Sequence, residues 1–386
     1  MWEASRDGAR LKPILPPPNS APIESASEWS SGEWTPDGTY FIFQRIRDGQ
    51  SSIWAMREKP SIFHKSSRDP VALSAGPVQL SHPVLSPDGK RLFVISEEHR
   101  AELVRYQTAS SAFLAYLPGL QGHRLSFSRD GQWMAYTTYP DGQLWRSKAD
   151  GSAKLRLTFP PIRADVPRWS PDGKQIVFTA GEGGKPSDLY LITADGGQPQ
   201  RLLTQGGNGN PDWSPDGAWI VFGPQPTFAT DPAAGLETQA AVNAIQILDL
   251  KTKGVSELPG SKGLYWPRWS ANGKYIVCLT IDTQKLMLFD IKTQKWAELA
   301  AGQTLHNPLW SRDREIVYFQ DLGAAGQPIY RVNIVSRKME RVAGAEGLGR
   351  PDIIYSAFTG LTPEDSPVVL LIRGLYDIYA LDLALP

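Results

Sequence analysis

Nine polar or aromatic side chains occupy two recurring positions of this sequence, three and four residues before the first residue of a repeated turn. They are His82, His123, Arg124, Asp165, Asn210, Tyr265, Trp266, His306 and Asn307. Imidazole, guanidinium, carboxylate, amide and indole groups together can bind a peptide or a small ligand. The sequence has no Gly-x-Ser-x-Gly elbow, no phosphate-binding loop and no His-Glu-x-x-His. We therefore predict a site for a protein partner or small ligand, with no catalytic residue, metal or cofactor.

The turn that follows these positions occurs eight times. It reads Trp-Ser-Pro-Asp-Gly at 169–173 and 213–217, and its fourth residue falls at 37, 88, 130, 172, 216, 272, 313 and 364. Proline presets φ, aspartate can bond to its own backbone, and glycine takes a positive φ. A repeat of this length with strand-like segments is typical of β-propeller blades.

Each turn is followed by an apolar strand, an alternating strand and a last short strand, as at 176–178, 189–192 and 200–204. With the strand that precedes the turn, four strands form one blade. We predict an all-β fold in a single domain, 1–386: one closed β-propeller of eight four-stranded blades, with seven as the alternative. The repeat units lie near 29–80, 81–122, 123–163, 164–208, 209–263, 264–305, 306–352, and 353–386 plus 1–16.

The two ends of the sequence are predicted to share the last blade. The eighth repeat ends after its third strand, and 12–15 reads as a fourth strand. An N-terminal strand that completes the last blade would hide an exposed sheet edge. Segment 2–5 is then left over as an extra third strand, so we expect the chain to begin in mid-blade, as a piece of a longer polypeptide would.

The ring predicted for these repeats brings the nine site positions together at one mouth of a central channel, where each inner strand begins. The long insertion 223–244 lies on the same face and is expected to form a flap, whereas the insertion 59–67 lies on the opposite face. Long loops in compact domains are often functional.

Composition excludes several classes of function. Forty acidic and forty basic side chains cancel, and no basic run occurs, so we expect no direct nucleic-acid binding by this segment. Cys278 is the single cysteine, which excludes an internal disulfide. No apolar run is long enough to span a membrane. We expect a monomer, in an extracytoplasmic (periplasmic) location if the parent protein is membrane-anchored and in the cytoplasm otherwise.

The repeat resembles the TolB-type propeller repeat. The matching pattern is Pro-x-Trp-Ser-Pro-Asp-Gly-Lys-x-Ile-x-Phe with Asp-Leu-Tyr, Ala-Asp-Gly-Gly and Arg-Leu-Leu-Thr, and it is clearest at 166–222. The resemblance implies either a scaffold that binds protein partners or the non-catalytic propeller of a prolyl-oligopeptidase-type peptidase. No hydrolase domain follows the repeats in this sequence, which favours the scaffold.

The sequence is also similar to the C-terminal propeller of bacterial one-component transcriptional regulators with an N-terminal winged helix. The matching segments are 144–152, 155–161, 360–367 and 377–382, and no winged helix occurs in this sequence. This resemblance implies a non-catalytic sensory or protein-interaction module, part of a larger bacterial regulator. The alternative is a propeller enzyme, or a peptidase-associated propeller, that uses the channel rim.

Overall fold

The computed structural model of this chain is built from β-strands. It describes residues 2–4, 11–13, 29–47, 50–57, 70–74, 78–182, 186–203, 207–224, 244–312, 315–348, 353–383 and 385. Within these ranges there is no α-helix, and one short 3₁₀ helix covers Ala345–Leu348. The prediction of an all-β protein is confirmed.

The strands follow one another in chain order with short connections. They are β1 (Trp2–Ala4), β2 (Leu11–Pro13), β3 (Trp29–Trp34), β4 (Tyr40–Arg47), β5 (Gln50–Arg57), β6 (Val71–Ala72), β7 (Gln79–Leu85), β8 (Arg91–Gln107), β9 (Ala112–Ala115), β10 (Gly122–Phe127), β11 (Trp133–Thr138), β12 (Leu144–Lys148), β13 (Leu155–Arg156), β14 (Ile162–Trp169), β15 (Gln175–Glu182), β16 (Asp188–Thr193), β17 (Gln200–Arg201), β18 (Asn208–Trp213), β19 (Trp219–Pro224), β20 (Gln246–Asp249), β21 (Val255–Glu257), β22 (Leu264–Trp269), β23 (Tyr275–Thr280), β24 (Lys285–Asp290), β25 (Lys295–Ala301), β26 (Leu305–Trp310), β27 (Ile316–Asp321), β28 (Ile329–Asn333), β29 (Met339–Ala343), β30 (Ile353–Leu361) and β31 (Pro367–Asp382).

The chain divides into two compact units. Unit 1 comprises Met1–Arg100 and Gly374–Pro386, and unit 2 comprises Ala101–Arg373. This division differs from the predicted single domain with all eight repeats in one ring. The reason lies in β8 and β31, since each of these long strands begins in one unit and ends in the other.

Unit 2 contains five four-stranded antiparallel sheets, each made of consecutive strands: β10–β13, β14–β17, β18–β21, β22–β25 and β26–β29. A further sheet joins strands from the two ends of the unit. There β30 pairs with 367–373 of β31, β31 pairs with β8, and 104–107 of β8 pairs with β9. An ion pair of 3.0 Å between Arg373 Nη1 and Glu102 Oε1 lies at this junction of β31 and β8.

Unit 1 holds the first predicted repeat and the first half of the second, up to Arg100. Strands β3–β6 form a four-stranded sheet, and β7 pairs with 92–97 of β8. The predicted strand at 12–15 does not complete the last blade in the described residues. Strand β2 pairs with β1 in a two-stranded sheet, whereas β31 pairs with β8. The amide of Leu383, just after β31, donates to the carbonyl of Lys90, just before β8.

The predicted turn geometry is confirmed in detail. In the turn at 169–173, the Ser170 hydroxyl donates to Asp172 Oδ1 (2.6 Å). The amide of Lys174 donates to the same carboxylate oxygen, and the amide of Gly173 donates to the Ser170 carbonyl. Gly173 has a φ of 71°. The same hydroxyl–carboxylate bond recurs in four other turns, at Thr35–Asp37, Ser86–Asp88, Ser128–Asp130 and Ser214–Asp216.

Apolar faces of neighbouring sheets form the core of unit 2. One cluster packs residues of the β10–β13 sheet against Trp169, Ile176 and Phe178 of the next sheet. The tryptophan at the end of an inner strand also makes a polar tie, since Trp169 Nε1 donates to the Ser126 carbonyl (3.0 Å). Sheet-to-sheet packing therefore accounts for the repeated tryptophan.

Candidate functional site

The predicted site positions coincide with a β-bulge in the inner strands. The inner strands β10, β14, β18, β22 and β26 each end in an aromatic residue. The pairing register with the neighbouring strand shifts after the residue that stands four positions before this aromatic residue. The next residue has a positive φ, which is uncommon for residues other than glycine. These residues in unit 2 are Arg124 (54°), Val166 (49°), Asn210 (54°), Trp266 (58°) and Asn307 (48°). Bulges re-aim side chains and are frequent near functional sites.

Side chains from adjacent sheets hold several of these bulges. The backbone amide of Arg124 donates to Thr359 Oγ1 (2.6 Å) in β30, and the amide of Asn210 donates to Thr179 Oγ1 (3.1 Å) in β15. Asn307 is 1% exposed, and its Nδ2 donates to the Phe358 carbonyl (2.8 Å). Asn307 is therefore a structural tie between β26 and β30, although the sequence places it among the ligand-binding residues.

Four inner strands of unit 2 bring predicted site residues into contact around Trp266. The Arg124 guanidinium lies 4.8 Å from the centre of the Trp266 ring, and the His306 ring lies edge-on to Trp266 at 4.9 Å. Arg124 Nη1 is 3.5 Å from His306 Nε2, and Arg124 Nε is 3.6 Å from Asp165 Oδ1. Tyr265 packs against Trp266 at a ring distance of 5.9 Å. We call Arg124, Asp165, Trp266 and His306 the rim cluster.

Beneath the rim cluster lies a second layer of charged side chains, which the sequence analysis does not include in its site. Arg168 Nε is 3.9 Å from Asp212 Oδ1, and Asp212 Oδ2 accepts the amide of Trp269 (2.8 Å). Arg268 Nη1 donates to the carbonyls of Pro267 (2.7 Å) and Asn210 (3.1 Å). The sequence signal for this layer is the charged residue directly before the tryptophan in each of these strands.

The histidines of this region are neutral near pH 7. Burial, and then the charge of Arg124, lowers the pKa of His123 and of His306 well below the usual range. Because a guanidinium only donates, His306 Nε2 accepts from Arg124 and the ring proton lies on Nδ1. Burial also lowers the pKa of Arg168 and Arg268, but guanidinium groups start from so high a value that both stay charged.

Two predicted site features are not part of the rim cluster as the structure describes it. His82 belongs to unit 1, where its bulge has a φ of 50° and its Nδ1 is 3.1 Å from Ser81 Oγ. Most of the predicted flap, at 225–243, lies outside the described residues, as does the segment 58–69 that contains the other insertion.

A cavity of about 490 Å³ opens at the opposite end of the same inner strands, where the turn motifs lie. Its walls include the aromatic rings of Phe127, Trp169, Trp269 and Trp310, and Arg168 reaches it from the second layer. The sequence analysis does not predict this cavity, although the aromatic residue that begins most of the turns is the signal for it.

Neither a metal centre nor a membrane helix is found in the described part of the chain. There, no group of three or more His, Cys, Asp or Glu side chains is placed to hold a metal ion. The same residues include no helix long and apolar enough to cross a membrane.

Comparison with known proteins identifies the family. A family model described as the TolB beta propeller domain matches residues 126–352. The chain belongs to this family. The resemblance of its repeat to the TolB type is thereby confirmed, whereas the connection to winged-helix regulators stays a proposal.

Relatives of this TolB-type chain are similar to parts of it. An uncharacterized Agrobacterium fabrum protein is 28% identical over 204 residues, which covers 49% of this chain and 67% of that protein. A Bacillus subtilis protein named as an uncharacterized peptidase is 24% identical over 40% of this chain, and the match spans 31% of that protein. A solved structure described as TolB from Agrobacterium tumefaciens has a TM-score of 0.54 at 14% identity and covers 72% of this chain and 99% of that one. This last likeness shows a shared fold.

Proposed function

We propose that unit 2 is a closed β-propeller of six blades. Its sixth blade would consist of β30, the first half of β31, the second half of β8, and β9. The support comes from β30, which touches both neighbours that a ring requires: Thr359 accepts the amide of Arg124 in β10, and the Phe358 carbonyl accepts Asn307 in β26. The five predicted repeats from 123 to 352 would then lie in this ring, and its sixth blade would combine the first part of the eighth repeat with the second half of the second.

We also propose that this ring is a non-catalytic binding module, which takes a protein partner or small ligand at the mouth where the inner strands begin. The observation that carries this function is the rim cluster, in which four inner strands distant in sequence present a cation, a carboxylate, an indole and an imidazole to one place. Tyrosine, tryptophan and arginine are the residues that most often anchor interfaces. Strained bulges at each position are consistent with a site that the fold keeps for function.

The ionisable groups of this site support binding rather than proton transfer. His306 and His123 are neutral, and Asp212 accepts the backbone amide of Trp269 and pairs with Arg168. Asp165 is the most open charged group, with 42% of its side chain exposed, and it pairs with Arg124. Such a carboxylate can meet a partner's positive or polar group directly.

Site-directed photo-crosslinking tests the binding function. A photoreactive phenylalanine analogue replaces Asp165 in one variant and Asp195 in a control, since the Asp195 side chain is 91% exposed in a turn of β16–β17. In an extract of the encoding bacterium we expect a discrete crosslinked product from position 165 and none from 195. Adding Trp266→Ala to the first variant should abolish the product. Equal products from both positions would contradict a binding site at the rim cluster.

The resemblance to regulator propellers supports a place for this module in a larger bacterial regulator. A second candidate is a propeller associated with a peptidase, which the Bacillus relative favours through its name. The reading frame around the gene distinguishes the two. An in-frame winged helix upstream supports the regulator, and an in-frame hydrolase domain supports the peptidase.

A further inference from the structure

Arg268 has an unused hydrogen-bonding edge inside unit 2. The residue is 2% exposed, and its Nη1 is held by backbone carbonyls of Asn210 and Pro267. Its Nε and Nη2 have no hydrogen-bond partner among the described residues. These two N–H groups point in the same direction and form the fork with which arginine binds a carboxylate through two parallel bonds.

A second unused donor lies close to this fork. Trp266 is 5% exposed, and its Nε1 also has no partner among the described residues. The Arg268 guanidinium lies 5.9 Å from the centre of the Trp266 ring, and the Arg124 guanidinium lies 4.8 Å from it. The Nδ1 of His306, whose ring lies edge-on to Trp266, also has no partner among the described residues.

Among the described residues, the positive and negative side chains of this region do not balance. Three guanidinium groups, Arg124, Arg168 and Arg268, face two carboxylates, Asp165 and Asp212, and the histidines are neutral. One positive charge is therefore in excess in a largely buried place. Buried charges and buried donors both cost free energy when they lack partners. A bound group with one negative charge and two acceptor oxygens would balance both deficits.

We propose that Arg268, Trp266 and Arg124 bind a carboxylate group between them, with the Arg268 fork on its two oxygens and Trp266 Nε1 as a further donor. The single excess charge favours a monoanion over a dianion such as sulfate. This inference rests on the proposed binding function and adds the chemical class of the ligand. The carboxylate belongs either to a free small acid or to the C-terminus of a polypeptide.

Titration of the whole chain with acetate tests this site by the ¹⁵N resonances of its indole N–H groups. Trp266→Phe keeps an aromatic ring beside both arginines but removes the donor. Trp269→Phe is the matched control, because Trp269 Nε1 is also buried without a partner but does not belong to the proposed site. We expect the Trp266 indole resonance to move on titration of the parent and of Trp269→Phe, with the same apparent affinity for acetate. Trp266→Phe lacks this resonance, so its affinity is measured from the backbone amide resonances of all three proteins, and we expect it to be about tenfold weaker.

Further titrations identify the source of the carboxylate and can contradict the proposal. Tetra-alanine with a free C-terminus is compared with its C-terminal amide. If tetra-alanine with a free C-terminus binds more tightly than acetate, the ligand is the C-terminus of a polypeptide. If acetate binds and the peptide does not, the ligand is a small acid. No shift of Trp266 with any of these carboxylates, tighter binding of sulfate than of acetate, or wild-type affinity in Trp266→Phe contradicts the inference. If these arms fail while crosslinking from position 165 persists, the binding module stands and its carboxylate ligand does not.

Discussion

Replacement of Gly173 isolates the energetic cost of the repeated turn. Gly173 has a φ of 71°, and a Cβ added there would meet no atom within 4 Å. A substitution therefore introduces no clash, and its cost arises from the left-handed backbone alone. For an ordinary side chain this conformation costs about 1–2 kcal/mol. Valine is β-branched and stiff, so Gly173→Val should lie at or above the upper end of that range.

Two further variants of Gly173 and one of Gly131 give this prediction its controls. Gly173→Ala should cost about 1 kcal/mol, and Gly173→Asn should cost least, because asparagine tolerates positive φ. Gly131→Ala should cost more than Gly173→Ala, since its Cβ would lie 3.1 Å from Pro363. Urea unfolding of the whole chain, followed by tryptophan fluorescence, measures the midpoint of each variant. If Gly173→Val unfolds at the same urea concentration as the parent, the turn does not strain the substituted residue and the reasoning is wrong.

Three further predictions concern groups that the structure places in defined surroundings. The folded state lowers the pKa of His306, so stability present above the unfolded pKa of about 6.5 is lost as the pH falls. The unfolding free energy of the parent protein should therefore fall between about pH 7.5 and 5.5, and in His306→Asn this fall should be smaller by up to about 1 kcal/mol. An unchanged pH profile would contradict the burial of a neutral ring. Trp213 Nε1 donates to the Arg168 carbonyl (3.1 Å), whereas Trp269 Nε1 has no partner among the described residues. Trp213→Phe should therefore destabilise the fold by about 1 kcal/mol more than Trp269→Phe, which loses no hydrogen bond. Equal urea midpoints for the two variants would contradict a stabilising bond between Trp213 and Arg168. The hydrogen bond from the Ser170 hydroxyl lowers the pKa of Asp172 in the folded protein. The ionised carboxylate therefore stabilises the fold fully at a pH above the pKa of Asp172 in the unfolded chain, and this contribution is lost as the pH falls through the pKa in the folded protein. Asp172→Asn should keep the turn, because Asn272 accepts the Ser270 hydroxyl in the same way. The urea midpoint of this variant should depend less on pH below about pH 4. An undiminished dependence would mean that other groups cause the acid sensitivity.

Local patterns in the sequence predict the repeats well, because each turn is specified by neighbouring residues. Ser170, Asp172 and Gly173 determine their turn without help from distant parts of the chain. The position of the rim cluster also follows from the sequence, since Trp266 and His306 stand at the same distance before their turns. These features depend on spacing along the chain, which a single sequence displays directly.

Pairing between distant strands does not follow from such patterns. In the segment 96–102, Ser96 is the only turn-forming residue, and this is the signal that β8 continues as one long strand. The segment 373–377 contains Gly374 and Asp377, so the sequence does not indicate that β31 continues. The continuity of β8 and β31 places each strand in two units, which the repeat count alone does not reveal. The Arg268 fork is hidden for a similar reason, because its partners and its burial depend on packing between sheets.

An engineered disulfide between β8 and β31 tests most directly whether strands from both ends of unit 2 close its ring. Glu102→Cys and Arg373→Cys replace a pair whose charged atoms lie 3.0 Å apart although 271 residues separate them in sequence. Cys278 is fully buried, and burial raises the pKa of its thiol, so it should not compete. The folded protein is treated either by mild oxidation or with a short bis-maleimide, which links thiols that lie too far apart for a direct disulfide. We predict near-complete linkage of 102 to 373 by at least one of the two treatments, seen as faster migration in a non-reducing gel and as one linked peptide by mass spectrometry. A control with Arg373→Cys and Lys253→Cys should form none. Free thiols at both 102 and 373 in the folded protein after both treatments would contradict the shared sheet, and with it the closed ring that brings the rim cluster together.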